Sequence, residues 1–490
     1  MRRISLSLVI LLACSLVLAA CGSKSKSKNS SSPSNGSSSI SGAEIAPASA
    51  IGFVSISTDS SSAQWQQAKK LIARIPAAQK ALDKALLGSG LTLTEVEQAL
   101  GTTTVLVELG TAAKSVDVVL TNTTDAAKLK SILAKSKSKK KLVTAEIGSW
   151  LAMSDSQAAL DQYQSAAATG KLADSSTFKQ ALAGVPADAL VKAYLTGSAI
   201  TATTGNLGSG SASKALGNAA KKNQLEWGTL AVSPVPEGLS VSGTFKSKSA
   251  LANSSSSLIG ELPSGTAFAV DLNGKALGLD KAVLGLRKNA KYGSQISQIE
   301  AALGVKLEDL AALVGSEMSI YGSSSGIGLL IKAPNPDQSK AMLDKAVKLL
   351  SAQLSGASKT VSVGGVQATE LTLGKTKIYY GVKDGNLFIV TNANALPGAG
   401  KLSSDSVYAA AAKALPVPAS NAGVAFVDFA QLAQLAKSSD SVVKGLGSSL
   451  GGSSTTQMSS GLDVQGLSSL LGYVAGNGDK VELKALLSVK

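Results

Sequence analysis

Few side chains in this 490-residue chain have the type and spacing to do chemistry, and the clearest is Cys21. It follows Leu18-Ala19-Ala20, after a basic start at Arg2 and Arg3 and an apolar run from Ile4 to Leu18. Those parts are the n-region, h-region and small-residue cleavage site of a secretory signal. Small residues admit the backbone to a signal peptidase, and a thiol at the cut can carry a thioether-linked diacylglycerol. The spacing predicts a signal peptide over residues 1–20 and an acylated Cys21, palmitate among its chains, as the first mature residue. The expected location is the extracytoplasmic face of the cell membrane, with the membrane as partner through that diacylglycerol. The plainer alternative is a cleaved signal with an incidental cysteine. A spanning helix is a third reading, but Ser5, Ser7 and Ser15 interrupt a run already short of about 20 residues. Ser5 also stands where a twin-arginine signal prefers a large apolar residue, which favours the general secretory route.

Several chemistries are excluded by composition. The chain has no histidine, which removes Ser-His-Asp and Cys-His catalysis, histidine metal sites and a histidine proton switch. Its other cysteine, Cys14, lies inside the signal, so the mature chain has neither a disulfide nor a zinc–thiolate site. Ser-x-x-Lys occurs at Ser136/Lys139, Ser176/Lys179, Ser211/Lys214 and Ser441/Lys444, without the Ser-Asp-Asn or Lys-Thr-Gly of a penicillin-binding-type site. The glycines at 205, 208 and 210 and at 445–452 lack the spacing and following lysine of a phosphate loop. No metal or cofactor is expected. Glu95 and Glu97, two apart on a helix, do not face one another. A carboxylate pair assembled by folding keeps a hydrolase of cell-wall polymers, a glycoside hydrolase, as the alternative. The main expectation is a protein that is not an enzyme.

The densest charge run is Lys135, Lys137, Lys139, Lys140 and Lys141, with no acid among them. Serines alternate with the first lysines, so the run has no apolar face and should stay in water as a contact for an anionic surface. The plain alternative is a solvated connection between helix and strand. Formal net charge is +15; Arg2 and Arg3 belong to the signal and Lys24, Lys26 and Lys28 to the segment after it. Outside a cell the matching anions are phospholipid headgroups and wall polymers, not nucleic acid. Trp65, Trp150 and Trp227 each sit in an apolar pattern and are read as core.

Behind these residues stands an ordered series of elements. Residues 21–42, rich in serine and lysine, cannot bury a core and are read as a disordered tether. Ile51–Thr58 reads as a strand; Trp65, Ala68, Leu71, Ile72 and Ile75 mark a helix that Pro76 closes. Thr94–Glu97 reads as a capping box, and Gly101 as a stop. Strands at 105–107 and 116–120, a helix from 124 or 125, a hairpin around Gly148-Ser149, two helices, a strand at 190–195 and a final strand pair at 227–245 complete the series. Gly205–Gly217 is read as a loop or weak helix.

After residue 257 the series repeats. Pro263 leads into Thr266–Leu272 as Pro47 leads into the first strand. Asn335 and Pro336 form the start of a helix, and Asp384-Gly385 centres a hairpin. One further hairpin is inserted around Gly364-Gly365. The expected fold is α+β, with two homologous halves at 43–250 and 258–490. Each is a mainly antiparallel sheet with helices packed on it.

The opening Pro47-Ala48, Ala50, Phe53-Val54-Ser55-Ile56, then Asp59, Gln64-Trp65 and Ala68, resembles a family of bacterial envelope lipoproteins known as domain of unknown function 3352. The resemblance implies an envelope location and the mixed fold, and supplies no catalytic residues. The expected function is binding of an envelope component: an anionic glycopolymer, a lipid or an envelope protein.

Overall fold

Aliphatic and β-branched residues at successive positions, such as Val105-Leu106-Val107, build antiparallel strands whose two faces are both apolar, so each face needs its own layer of helices. The chain answers this need twice, in two compact units. The computed structural model describes residues 40–80, 83, 92–111, 114–135, 142–206, 224–289, 293–354, 357–374, 376–396, 400–437 and 464–490.

Among the described residues, unit 1 comprises those from 40 to 249 together with 464–467 and 489–490. Its elements are β1 (Gly52–Ser57), α1 (Ala63–Ala73), α2 (Leu93–Ala99), β2 (Thr103–Thr111), β3 (Lys114–Thr121), α3 (Ala126–Lys135), β4 (Val143–Ile147) and β5 (Trp150–Ser154). They continue with α4 (Gln157–Ala167), α5 (Ser176–Leu182), β6 (Val191–Thr196), α6 (Gly197–Asn206), β7 (Leu225–Val235) and β8 (Gly238–Ser247). All pairings are antiparallel, in the order β4-β5-β3-β2-β1-β6-β7-β8.

One sheet face carries Phe53, Val107, Val118, Leu120, Trp150 and Trp227 against Leu160, Tyr163 and Phe178 of α4 and α5. Phe178 meets Phe53 and Tyr194 edge-on, with ring centroids 5.6 and 5.2 Å apart. The opposite face carries Val54, Ile56, Leu106 and Ala193 against Trp65 and Ala68 of α1. All three tryptophans are buried, as their apolar settings predict.

Unit 2 holds α7 (Leu258–Glu261), β9 (Thr266–Asn273), α8 (Leu279–Gly285), α9 (Gly293–Leu303), α10 (Leu307–Val314), β10 (Glu317–Ser323), β11 (Gly326–Ile331) and α11 (Pro336–Leu354). After these come β12 (Ala357–Val363), β13 (Val366–Leu373), β14 (Thr376–Lys383), β15 (Asn386–Val390), α12 (Ser406–Ala414), β16 (Gly423–Asp428), α13 (Phe429–Lys437), β17 (Leu467–Asn477) and β18 (Lys480–Val489). Its strand order is β12-β13-β14-β15-β11-β10-β9-β16-β17-β18. Read from β14 onward, this is the order of unit 1 strand for strand, with the hairpin β12–β13 added beyond β14. Two-residue turns close that hairpin and its neighbour. Gly364 and Gly365 have φ of 57° and 78°, and Asp384 and Gly385 of 51° and 76°, the doubly left-handed turn that matches strand twist.

Local starts and stops differ from expectation in three places. The capping box is formed by Thr92 and Glu95, not from Thr94: the Thr92 hydroxyl accepts from Glu95 N, and Glu95 Oε2 accepts from Thr92 N at 2.8 Å. Glu97 is thereby released to pair with Lys69 on α1 at 3.1 Å. Pro76 does not close α1, which ends at Ala73; it opens the next helical turn, where its missing N–H costs nothing. Residues 197–206 are helical, because the Thr196 hydroxyl accepts from Ala199 N and Ile200 packs on the sheet; 207–223 lie outside the described residues. Elsewhere the expected signals are realised. Asp125 Oδ1 accepts from Lys128 N at 2.8 Å ahead of α3, and Asn335 Oδ1 accepts from Gln338 N at 3.1 Å ahead of α11.

Candidate functional site

Two sets of residues singled out in the sequence lie outside this description. Cys21 precedes the first described residue. Lys137, Lys139, Lys140 and Lys141 fall in the gap after α3, and Lys135 closes that helix with its side chain undescribed.

Among the described residues folding does bring carboxylates together, with a raised acid in each of two pairs. In unit 2, Asp271 on β9 and Glu317 on β10 lie buried side by side. Their oxygens are taken up mainly by backbone: Ile259 N and the Ser319 hydroxyl donate to Asp271 Oδ2, both at 2.9 Å, and Leu258 N donates to Glu317 Oε1 at 2.7 Å. Ser257 N also donates to Glu317. The pair thus caps the start of α7. Burial, followed by the neighbouring Glu317, pushes the Asp271 carboxyl up to about 7. In unit 1, Glu108 and Asp117 are cross-strand partners on β2 and β3, with Asp155 near by. Burial first, then the charges of Glu108 and Asp155, raises Asp117 to about 6. Among the described residues no group of three or more acids has the arrangement of a metal site.

Two cavities are small. One of about 200 Å³ in unit 1 is lined by Ser41, Ser55, Ser57, Gln64, Thr103 and Lys192 among others. One of about 170 Å³ in unit 2 lies between α10 and the start of α11, beside Asp309, Asn335 and Lys345. Both fall below the range of roughly 300–1,000 Å³ usual for small-molecule pockets.

The stronger candidate is an open face. In unit 1, Val54 on the central strand pairs with Leu106 on one side and Ala193 on the other. All three are buried under α1. In unit 2 the same positions are Val270, Ile320 and Ala425, again paired across three strands. Here Val270 is 37% and Ile320 41% exposed, and Ala425 is exposed as well. Phe268, Leu272 and Met318 flank them on the same face, half-buried. Helices α10 and α11 close the face over β11 and β15 through Leu313, Met342 and Leu343. Helix α13 lies against β9, β10 and β16, and among the described residues Val270, Ile320 and Ala425 still remain exposed beside it.

The difference traces to the turn after the central strand. In unit 1 the chain passes Asp59 and enters α1, and Trp65 Nε1 donates to Ser57 O at 2.6 Å, pinning the helix onto the sheet. In unit 2 that turn holds Gly274 and Lys275, whose N–H groups donate to Ser316 O and Gly315 O at 3.0 and 2.9 Å. A Cβ on Gly274 would stand 1.7 Å from Val314 O, so only glycine fits this approach to the end of α10. The chain is drawn aside, and α8 packs on α10 instead of covering the floor. By pattern alone, Thr266–Leu272 is an ordinary core strand. The signal that sets it apart is the absence of a following tryptophan, where Trp65 follows the first strand.

Fold and site together define a class: an α+β protein of two antiparallel units, one with both sheet faces covered and one with an apolar face exposed. A family model described as protein of unknown function (DUF3352) matches residues 114–457, and the chain belongs to that family. No curated protein and no solved structure matches it. No helix among the described residues is long and apolar enough to cross a membrane.

Proposed function

We propose that this is a lipid-anchored, extracytoplasmic binding protein that takes the apolar part of an envelope amphiphile on the uncovered face of unit 2. The observation that carries the reading is the exposure of Val270, Ile320 and Ala425 where unit 1 buries Val54, Leu106 and Ala193. Holding such a strip in water forgoes about 25 cal/mol for each Å² of apolar surface, so a partner that covers it gains that term. Among the partners the sequence suggests, a lipid matches an apolar floor better than a glycopolymer or a polar protein surface does. The signal box and Cys21 support the location, and the net charge, 15 − 2 = +13 once Arg2 and Arg3 leave with the signal, supports an anionic headgroup. The hydrolase alternative has Glu108 and Asp117 to rest on, but neither lines either of the two cavities.

The test has two legs. A fatty-acid analogue fed to cells should label the wild-type protein and not Cys21→Ala. A fluorescent fatty acid titrated into the full chain carrying Cys21→Ala should bind saturably, and adding Ile320→Glu should weaken it about tenfold or more by placing a charge on the floor. Binding that is absent, or equal with and without Ile320→Glu, overturns the site; equal labelling overturns the anchor.

A further inference from the structure

A second apolar surface in unit 2 is separate from the sheet face. Helix α8 and the residues beside it read Lys275-Ala-Leu-Gly-Leu-Asp-Lys-Ala-Val-Leu-Gly-Leu-Arg-Lys288. None of the residues of α8 is buried. Leu277, Leu279, Leu284 and Leu286 are between 36% and 44% exposed, and Leu310 on the adjoining α10 is exposed to the same degree. An ordinary surface helix turns its leucines inward; this one packs on α10 with its leucines partly exposed, and polar contacts hold its ends. Asn273 Oδ1 accepts from Ala276 N at 2.9 Å, and Leu279 N donates to Gly274 O at 2.8 Å. At the far end Arg287 holds Glu300 and Glu308, each at 2.5 Å.

Three exposed lysines run along the segment. Lys275, Lys281 and Lys288 are exposed and enter no ion pair among the described residues. Arg287 with Glu300 and Glu308 carries one surplus formal negative charge and Asp280 a second, so against the three lysines the patch keeps only a small positive excess. We infer that residues 275–288 contact a bilayer, with the leucines entering the apolar boundary of an anionic phospholipid surface and the three lysines lying among its headgroups. Leucines interleaved with lysines on a short helix are the composition of interfacial segments, and anionic headgroups supply the countercharge. A second copy of the chain would bring like charges together, and a neutral apolar partner would leave the lysines unmatched. The inference does not rest on the ligand site proposed above.

The test uses the full chain carrying Cys21→Ala, so that no acyl anchor contributes, with vesicles of phosphatidylcholine alone or mixed equally with phosphatidylglycerol. Co-sedimentation should favour the anionic vesicles and weaken with salt. Changing Leu279, Leu284 and Leu286 together to serine should lower it about tenfold or more in a variant whose far-UV circular dichroism matches wild type. Changing Lys275, Lys281 and Lys288 to glutamine should remove most of the salt dependence. Ile320→Glu should leave vesicle binding as it is; if it abolishes binding as the serine variant does, the lipid contact is the sheet face and this inference falls. It also falls if the serine variant binds like wild type while changing Lys135, Lys137, Lys139, Lys140 and Lys141 to glutamine removes binding. A wild type that self-associates through these leucines, or does not distinguish the two vesicles, overturns it too.

Discussion

At the scale of single residues, the buried acids make stability depend on pH in an unusual direction. Asp271 titrates near 7 in the folded chain, against an unperturbed value of 3.8, and Asp117 near 6. An acid whose folded value is raised binds its proton more tightly folded than unfolded. Its contribution is complete below the unfolded value and is lost as pH rises through the folded one. The groups facing Asp271 agree with this sign. Glu317 opposes its ionisation, and Lys332, 3.9 Å from Glu317 Oε2, belongs to the other carboxyl. Conformational stability should therefore decline between about pH 4 and pH 7, by on the order of a few kcal/mol. Asp271→Asn keeps an oxygen for Ile259 N and Ser319 and adds a donor for Glu317. Denaturant midpoints measured across that range should then fall less steeply than in wild type; parallel slopes would show that Asp271 does not carry the effect.

At the scale of elements, the two units differ by where one helix lies. Trp65 joins α1 to the sheet twice, through its buried ring and through the bond from Nε1 to Ser57 O. Trp65→Phe keeps most of the apolar contact and leaves that carbonyl without its donor, at a cost of about 1–3 kcal/mol. Trp65→Ala also opens a cavity over Val54 and Ala193, at about 3–5 kcal/mol. Urea denaturation followed by far-UV circular dichroism would read the order wild type, phenylalanine, alanine. Equal losses for the two variants would mean that the hydrogen bond, and not the packing, holds α1.

At the scale of the molecule, the last residues of the chain complete the first unit. Val489 packs with Leu71, Ile72, Ile75 and Ala78. Arg74 on the same side donates to Val489 O at 2.8 Å and to Lys490 O. Val489 N donates to Glu237 O at 2.9 Å. Deleting Val489 and Lys490 removes one buried valine and these bonds, so unit 1 should lose about 2–3 kcal/mol. The loss should appear as a lowered melting transition in calorimetry. An unchanged transition would show that these contacts add nothing.

Much of the architecture is legible in the amino-acid sequence itself. Periodicity and turn residues mark the central strands, the hairpins at Gly148-Ser149 and Asp384-Gly385, the inserted hairpin at Gly364-Gly365 and the start of α11 at Asn335. These signals are local: an alternating pattern, a cap or a left-handed turn is set by residues within one turn of each other. The pattern Leu18-Ala19-Ala20-Cys21, on which the proposed anchor rests, is local in the same sense. The capping box lies two residues from its expected place because two threonines precede Glu97, and only the backbone decides which of them caps. Three other features are decided by the tertiary structure alone. Asp271 and Glu317 are far apart in sequence, and adjacent strands bring them together. The acids at Glu108 and Asp117 face each other only through strand register. The open face of unit 2 has the same apolar alternation as the covered face of unit 1. Whether such a face meets water depends on where a later helix comes to rest, and that is settled by a bond from Trp65 in one unit and a close approach at Gly274 in the other.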